Sequence, residues 1–208
     1  MRLYVDANYA SPYGLVAFVS LIEKGLKFEI EPLDLAVRAN HDPKFAATSI
    51  TRRIPTLIHG NFALSESSAI SEYVDETFPG TALYPRDSRD RARARQVQAW
   101  VRSDLMPIRD ERPTFVVFSG ARRPALSAQA NEAASKLFAA ALTLLDGRGE
   151  NLLGNWSIAD VDLAMMLQRL VAHGDPVPQR LIDYATHQWR RPSVQQWIHK
   201  KRPPLVEY

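Results

Sequence analysis

The stretch RRIPTLIHGNFALSESSAISEY, Arg52–Tyr73, decides the fold because its hydrophobic period changes within it. Thr56–His59 (TLIH) and Phe62–Leu64 (FAL) are short β-prone runs on either side of Gly60-Asn61, and a two-residue connection of that type predicts a hairpin. From Ser67 the apolar positions take helical spacing, predicting a helix over Ser67–Phe78 that stops before Pro79-Gly80. Upstream, RLYVD (Arg2–Asp6) reads as a strand. ASPYGLVAFVSLIEKG (Ala10–Gly25) follows as a helix, with Leu15, Phe18, Val19 and Ile22 at 3–4 spacing and Gly25 as its stop. FEIEPLDL (Phe28–Leu35) alternates as a second strand, and Asp42-Pro43 opens a short helix through Ala47. The order β-α-β-α-β-β-α within roughly 80 residues predicts helices layered on a small mixed sheet.

Downstream, TALYPRDS (Thr81–Ser88) is polar and contains proline, which predicts a linker. The remainder reads as helix over Arg89–Arg109, Ser127–Leu145, Ile158–His173, Pro178–Gln188 and Ser193–Lys200, with too few β-branched residues for a sheet. The expected organisation is an α/β domain over 1–80, a linker over 81–88 and an all-α domain over 89–208. Composition suits a folded chain: 208 residues, 46% hydrophobic, 24% charged, net charge +3. No basic block interleaved with aromatics appears, so no nucleic-acid partner is expected. No apolar run approaches about 18 residues and MRLYVDANYA has no basic-then-apolar pattern, so neither membrane spanning nor export is expected and a cytoplasmic location is. Cysteine is absent, which excludes disulfides, thiolate metal sites and any mechanism using a thiol of the protein itself. His41, His59, His173, His187 and His199 lack metal-ligand spacing, and no metal is expected.

Two helix starts have double readings. Ser11-Pro12 suits an N-cap followed by proline at the first helical position, yet the same helix end favours an anion placed beside it. Glu66-Ser67 likewise reads as capping or as an anion and ammonium site. In NWSIADVDLA (Asn155–Ala164), Ser157 and Asp160 form a capping box, with Trp156 and Val161 spaced as a hydrophobic staple, and the reading is structural. Arg89, Arg91, Arg93 and Arg95 spread around a helix instead of forming one stripe.

The plan and the motifs together resemble the cytosolic glutathione transferases over the whole chain. The residues carrying the resemblance are the serine-initiated first helix, Ile-Pro in RRIPTLI, the acidic-Ser pair in LSESSAISEY and the SIAD box in NWSIADVDLA. RARARQVQAWVRSDLMPIRDERPT (91–114) and LVAHGDPVPQRLIDYATHQW (170–189) are similar to the YfcF-like group of bacterial transferases. The resemblance implies a thioredoxin-like N-terminal domain followed by an all-helical domain, and a homodimer. It implies glutathione as co-substrate, with no cofactor. Glutathione would be held as thiolate at Ser11 for attack on a small hydrophobic electrophile or an organic hydroperoxide. The alternative is a non-enzymatic binding or interaction protein that keeps the fold.

Carried onto this sequence, Ile54 would present its backbone N–H and C=O to the cysteinyl unit, with a cis Pro55 aiming them outward. Glu66 would take the γ-glutamyl ammonium and Ser67, with the helix N–H groups, its carboxylate. Arg53, or Arg52, would pair with the glycyl carboxylate. Ala10 stands where other branches can place a cysteine, so a mixed disulfide with the protein is not available. Tyr4, Tyr9 and Tyr13 are alternatives to Ser11 for the thiolate. Tyr13, Trp100, Met106 and Phe115, with Phe118, are the expected apolar lining for the second substrate, edged by Arg102, Arg109 and Arg112. Asp104 is a candidate for reaching a neighbouring subunit's glutathione.

Overall fold

The computed structural model describes residues 1–204, so the last four residues of the expected 89–208 domain lie outside the described residues. The chain divides into two compact units, Met1–Leu83 together with the stretch from Gln195, and Tyr84–Val194.

The first unit contains β1 (Arg2–Asp6), α1 (Pro12–Glu23), β2 (Glu29–Leu33), a 3-10 turn (Ala39–His41), α2 (Pro43–Thr48), β3 (Thr56–His59), β4 (Phe62–Ser65) and α3 (Ser67–Thr77). The sheet order is β2-β1-β3-β4, with β1 and β2 parallel and the other pairs antiparallel. The hairpin falls at Gly60-Asn61 as expected, and His59 faces Phe62 across it. Alternation along β1 explains the layers. Leu3 and Val5 are fully buried on one face, while Tyr4 on the other meets Phe45 of α2 edge-on, ring centroids 5.2 Å apart. α1 and α3 are joined by the buried Ser20–Ser71 hydroxyl pair at 2.8 Å, with the carbonyls of Val16 and Ser67 within reach as alternative acceptors. At their far ends Lys24 and Asp75 form a buried ion pair at 2.8 Å, and Lys24 Nζ donates to the Phe78 carbonyl.

The second unit is helical: α4 (Ser88–Ser103), α5 (Met106–Glu111), α6 (Thr114–Ser119), α7 (Ala128–Leu145), α8 (Ile158–Val171), α9 (Gln179–Trp189) and the start of α10 (Pro192–Ile198). α8 is buried on all sides from Ile158 to Leu170, the mark of a central helix. Its buried polar residues each make hydrogen bonds. Asp160 completes the capping box with Ser157 and accepts from Leu152 N and the Tyr184 hydroxyl. Asp162 accepts from Gln98 at 2.7 Å and Arg102 at 3.0 Å, and Arg169 donates to the Arg112 carbonyl at 2.8 Å. Trp156 carries the Arg191 guanidinium over its ring at 3.7 Å.

The single helix expected over Arg89–Arg109 is two. Pro107 has no N–H to give the Ser103 carbonyl, so the ladder ends at Ser103. Asp104 accepts from Leu105 N at 2.7 Å, and Leu105 turns left-handed (φ 62°) before α5 begins. α6 was not expected from the pattern of its residues. It is anchored by the fully buried Arg112, which makes two bonds to Asp175 at 2.7 and 2.8 Å and donates to the carbonyls of Glu111 and Pro124. Burial pushes the Asp175 carboxyl upward, but Arg112 and His173 outweigh it and hold it below the ordinary range.

Candidate active site

Strand register gathers the site at one end of the sheet. Tyr4 pairs with Thr56 and Thr56 with Ser65, so the chain leaving β1, the chain entering β3 and the chain leaving β4 run side by side at that end. Those three segments are Asp6–Ser11, Arg53–Pro55 and Glu66–Ser67.

In the first, the carboxylate of Asp6 accepts from Ala10 N at 2.7 Å and Ser11 N at 3.1 Å, while Tyr9 takes a left-handed turn (φ 48°) between them. Burial raises the Asp6 pKa, opposed by those two N–H groups and by the charge of Arg202. Ser11 is the N-cap of α1 in extended backbone, and its Oγ accepts from Gly14 N at 3.2 Å. A hydroxyl that accepts still has its own proton to donate, so capping and holding a thiolate are compatible roles for Ser11. Gly14 lets the Trp197 indole, fully buried, pack closely against this turn: a Cβ at that position would lie 3.1 Å from the ring, so the indole would have to shift.

In the second segment the Ser49 and Thr56 hydroxyls, 3.0 Å apart, both reach the Arg53 carbonyl, at 3.3 and 2.7 Å. Arg52 is left-handed (φ 53°) and its carbonyl accepts from Asn40. The Arg53 side chain is exposed and the Ile54–Pro55 peptide is cis. Among the described residues the N–H and C=O of Ile54 have no partner. In the third, Glu66 has φ 72° and ψ 115° and its carboxylate makes no capping bond, against the capping reading. A non-glycine residue held there costs about 1–3 kcal/mol, and such strain gathers at ligand clamps. The first intrahelical bond of α3 runs from Ile70 N to Glu66 O, which leaves the N–H groups of Ser67, Ser68 and Ala69 as the open end of the helix.

The tyrosines separate. Tyr4 faces Phe45. Tyr9 stands edge-on to Trp197 with centroids 5.6 Å apart, and burial, then the Asp6 charge, raise its pKa, so its hydroxyl keeps its proton at neutral pH. Tyr13 lies in the first turn of α1.

Trp100 lines an apolar groove of about 600 Å³ with Val97 of α4 and Lys136, Ala139, Ala140 and Leu144 of α7. Met106, half exposed, and Phe115 lie outside that groove, on α5 and α6. Asp104 accepts from the Trp100 indole at 2.9 Å and pairs with Lys136. Hydrogen bonds from Lys136, Leu105 N and Trp100 take its pKa from the ordinary 3.8 down to about 2. Because the folded value is depressed, the stability Asp104 adds is present above about pH 4 and is lost as pH falls toward about 2; with this much exposure it amounts to less than about 1 kcal/mol. Urea melts of Asp104→Asn and the parent should therefore differ slightly near neutral pH and converge at about pH 2. A difference that persists at acid pH would assign the effect to packing.

Two family models match the chain, one described as the N-terminal domain of glutathione S-transferase over residues 7–82 and one as its C-terminal domain over residues 87–201. The chain belongs to the glutathione S-transferase family. Within that family it is 28% identical to glutathione S-transferase T1 of Arabidopsis thaliana, over 100% of this chain and 86% of that protein. It spans only 35% of the length of the same plant's glutathione S-transferase T3. Among solved structures, a glutathione transferase homolog from Burkholderia (BGR1), with bound glutathione, is 46% identical with a TM-score of 0.78 over 95% of both chains. Maleylacetoacetate isomerase from Methylobacterium extorquens AM1, with bound malonate and GSH, is 25% identical with a TM-score of 0.73 over 95% of both chains. The glutathione S-transferase fold thus accounts for both units, a four-stranded sheet with helices and a helical remainder. Asp6 and Trp197 were missed by the sequence reading. Asp6 carried one usable signal, a carboxylate ending a strand five residues before a helix cap, whereas nothing local marks Trp197.

Proposed function

We propose that this family member binds glutathione at the sheet end described above and stabilises it as thiolate for transfer to small hydrophobic electrophiles. The observation that carries the reading is the convergence of unspent hydrogen-bonding capacity there: the Ser11 proton, both peptide groups of Ile54, the Glu66 carboxylate and the open start of α3. Glutathione presents a matching set of groups. Its cysteinyl backbone extends along Ile54 beside Pro55, its ammonium meets Glu66, its γ-glutamyl carboxylate meets Ser67 and the helix end, and its glycyl carboxylate meets Arg53. The thiol lies toward Ser11.

A peptide cysteine ionises near about 8.5, and lowering that by about two units takes roughly 2.7 kcal/mol of preference for the thiolate. One hydrogen bond to a charged acceptor contributes about 1.5–3 kcal/mol, and the α1 terminus about 0.3–1. Together these suffice without a general base. The Ser11 hydroxyl donates to sulfur and is not itself a nucleophile. Attack on carbon forms the C–S bond and expels or opens the leaving group. Attack on the outer oxygen of a hydroperoxide expels alkoxide and leaves a sulfenic acid, which a second glutathione converts to the disulfide and water.

In this reading residues 1–80 form the glutathione-binding domain and 89–208 contribute the electrophile site, with Trp100, Met106 and Phe115 as candidate lining. The protein is a cytoplasmic homodimer of the YfcF-like group. Isothermal calorimetry tests the core of the proposal: glutathione should bind with a dissociation constant below about a millimolar, about −4 kcal/mol or better. Absence of heat at millimolar glutathione would sink the enzyme reading and leave the non-enzymatic alternative. A screen of aryl halides, epoxides and organic hydroperoxides then identifies the electrophile.

A further inference from the structure

We propose that Arg202 is a positioning residue for Ser11, acting through the loop that joins β1 to α1; for its effect on chemistry this rests on the reading above. Three side chains of the segment after Gln195 meet residues 6–14. Trp197 fills the space that a side chain at Gly14 would need, and meets Tyr9 and Phe18 with ring centroids 5.6 and 5.3 Å away. The Lys200 ammonium lies over the same two rings, 5.7 and 5.1 Å from their centroids, within cation–π range. Arg202 makes the polar tie. Its Nη1 donates to the carbonyls of Ile198 at 2.6 Å and Lys200 at 3.0 Å, and its Nη2 to those of Trp197 at 3.0 Å and Tyr9 at 3.2 Å.

One guanidinium therefore joins the end of α10 to the left-handed residue of the loop. Consecutive backbone groups of that loop are satisfied from outside it: the Tyr9 carbonyl by Arg202, and the Ala10 and Ser11 N–H groups by Asp6. Arg202 also supplies favourable charge to the buried Asp6 carboxylate. Removing it leaves the Tyr9 carbonyl without its donor and weakens the acceptor that holds Ser11 N. A four-carbonyl fork of this kind needs the planar five-donor geometry of arginine.

The test has an arm that needs no glutathione. In Arg202→Ala, amide hydrogen exchange at Ala10 and Ser11 should quicken about tenfold relative to amides of the β3–β4 hairpin. The pKa of the bound glutathione thiol, read by thiolate absorbance, should rise by about half a unit and kcat should fall about threefold, with KM for glutathione changed less than about twofold. Arg202→Lys, which keeps the charge and loses the fork, should fall between parent and Arg202→Ala in both readouts, and it decides the matter if the alanine variant does not fold. Unchanged exchange at Ala10 and Ser11 in a folded variant would overturn the proposal, even with a lower melting temperature. If the parent itself fails to ionise bound glutathione, the reading of function fails while the exchange arm still decides what Arg202 holds.

Discussion

Ser11→Ala should leave glutathione bound but poorly ionised. With the donor to sulfur gone, the bound thiol pKa should rise by at least about one unit, or about 1.4 kcal/mol, and turnover near neutral pH should fall about tenfold or more. Affinity should change little, because Ile54, Glu66 and Ser67 still hold the peptide portion. Stability should fall as well. Gly14 N loses its acceptor, and removal of an N-cap costs about 1 kcal/mol. The two losses are separable because ultraviolet titration of the bound thiolate reads one and thermal melts read the other. A lower melting temperature with an unshifted thiol pKa would confine Ser11 to capping and pass the chemical role to Tyr9 or Tyr13.

Glu66→Ala is expected to weaken glutathione binding by about 1.5–3 kcal/mol, roughly ten- to hundredfold, since the ammonium loses its charged acceptor. Alanine at φ 72° suffers the same backbone strain as glutamate, so stability should change little. Glu66→Gly provides the contrast. It should lose the same affinity yet gain up to about 1 kcal/mol of stability, because glycine adopts positive φ without a Cβ penalty. Calorimetry and melts of both variants measure the two quantities. Unchanged affinity in Glu66→Ala would remove Glu66 from the binding site, and a Glu66→Gly protein less stable than the parent would refute the strain argument.

The parts of this molecule that are local in sequence were legible. Gly60-Asn61 between two β-prone runs can hardly do anything but turn, and Ser11-Pro12 before an apolar stripe starts a helix under any tertiary arrangement. The errors have equally local causes. Pro107 sits within an otherwise regular pattern and its missing N–H splits the expected helix, and Phe115–Phe118 are too few residues for a period to show. Glu66 is a different case. Its identity fits a helix start, and only coordinates reveal that the backbone there is left-handed and that the side chain caps nothing. Of the supports of the site, Asp6 lies within a local window and Arg202 far beyond one. Asp6 acts on residues four and five positions away through its side chain, and Arg202 reaches a carbonyl 193 residues earlier in the chain.

That last separation bears on synthesis. Domains generally fold as units as they leave the ribosome, N-terminal first. Here the sheet, its hairpin and α1 to α3 can assemble once about 80 residues have emerged, but Gly14 then faces a gap where Trp197 belongs, and the Tyr9 carbonyl awaits Arg202. The helical unit has to be made in between. A nascent chain thus carries the β1–α1 loop from the beginning and meets that loop's partners only after the helical unit has been made, so a polypeptide released before Trp197 and Arg202 would have a sheet and a loop without them.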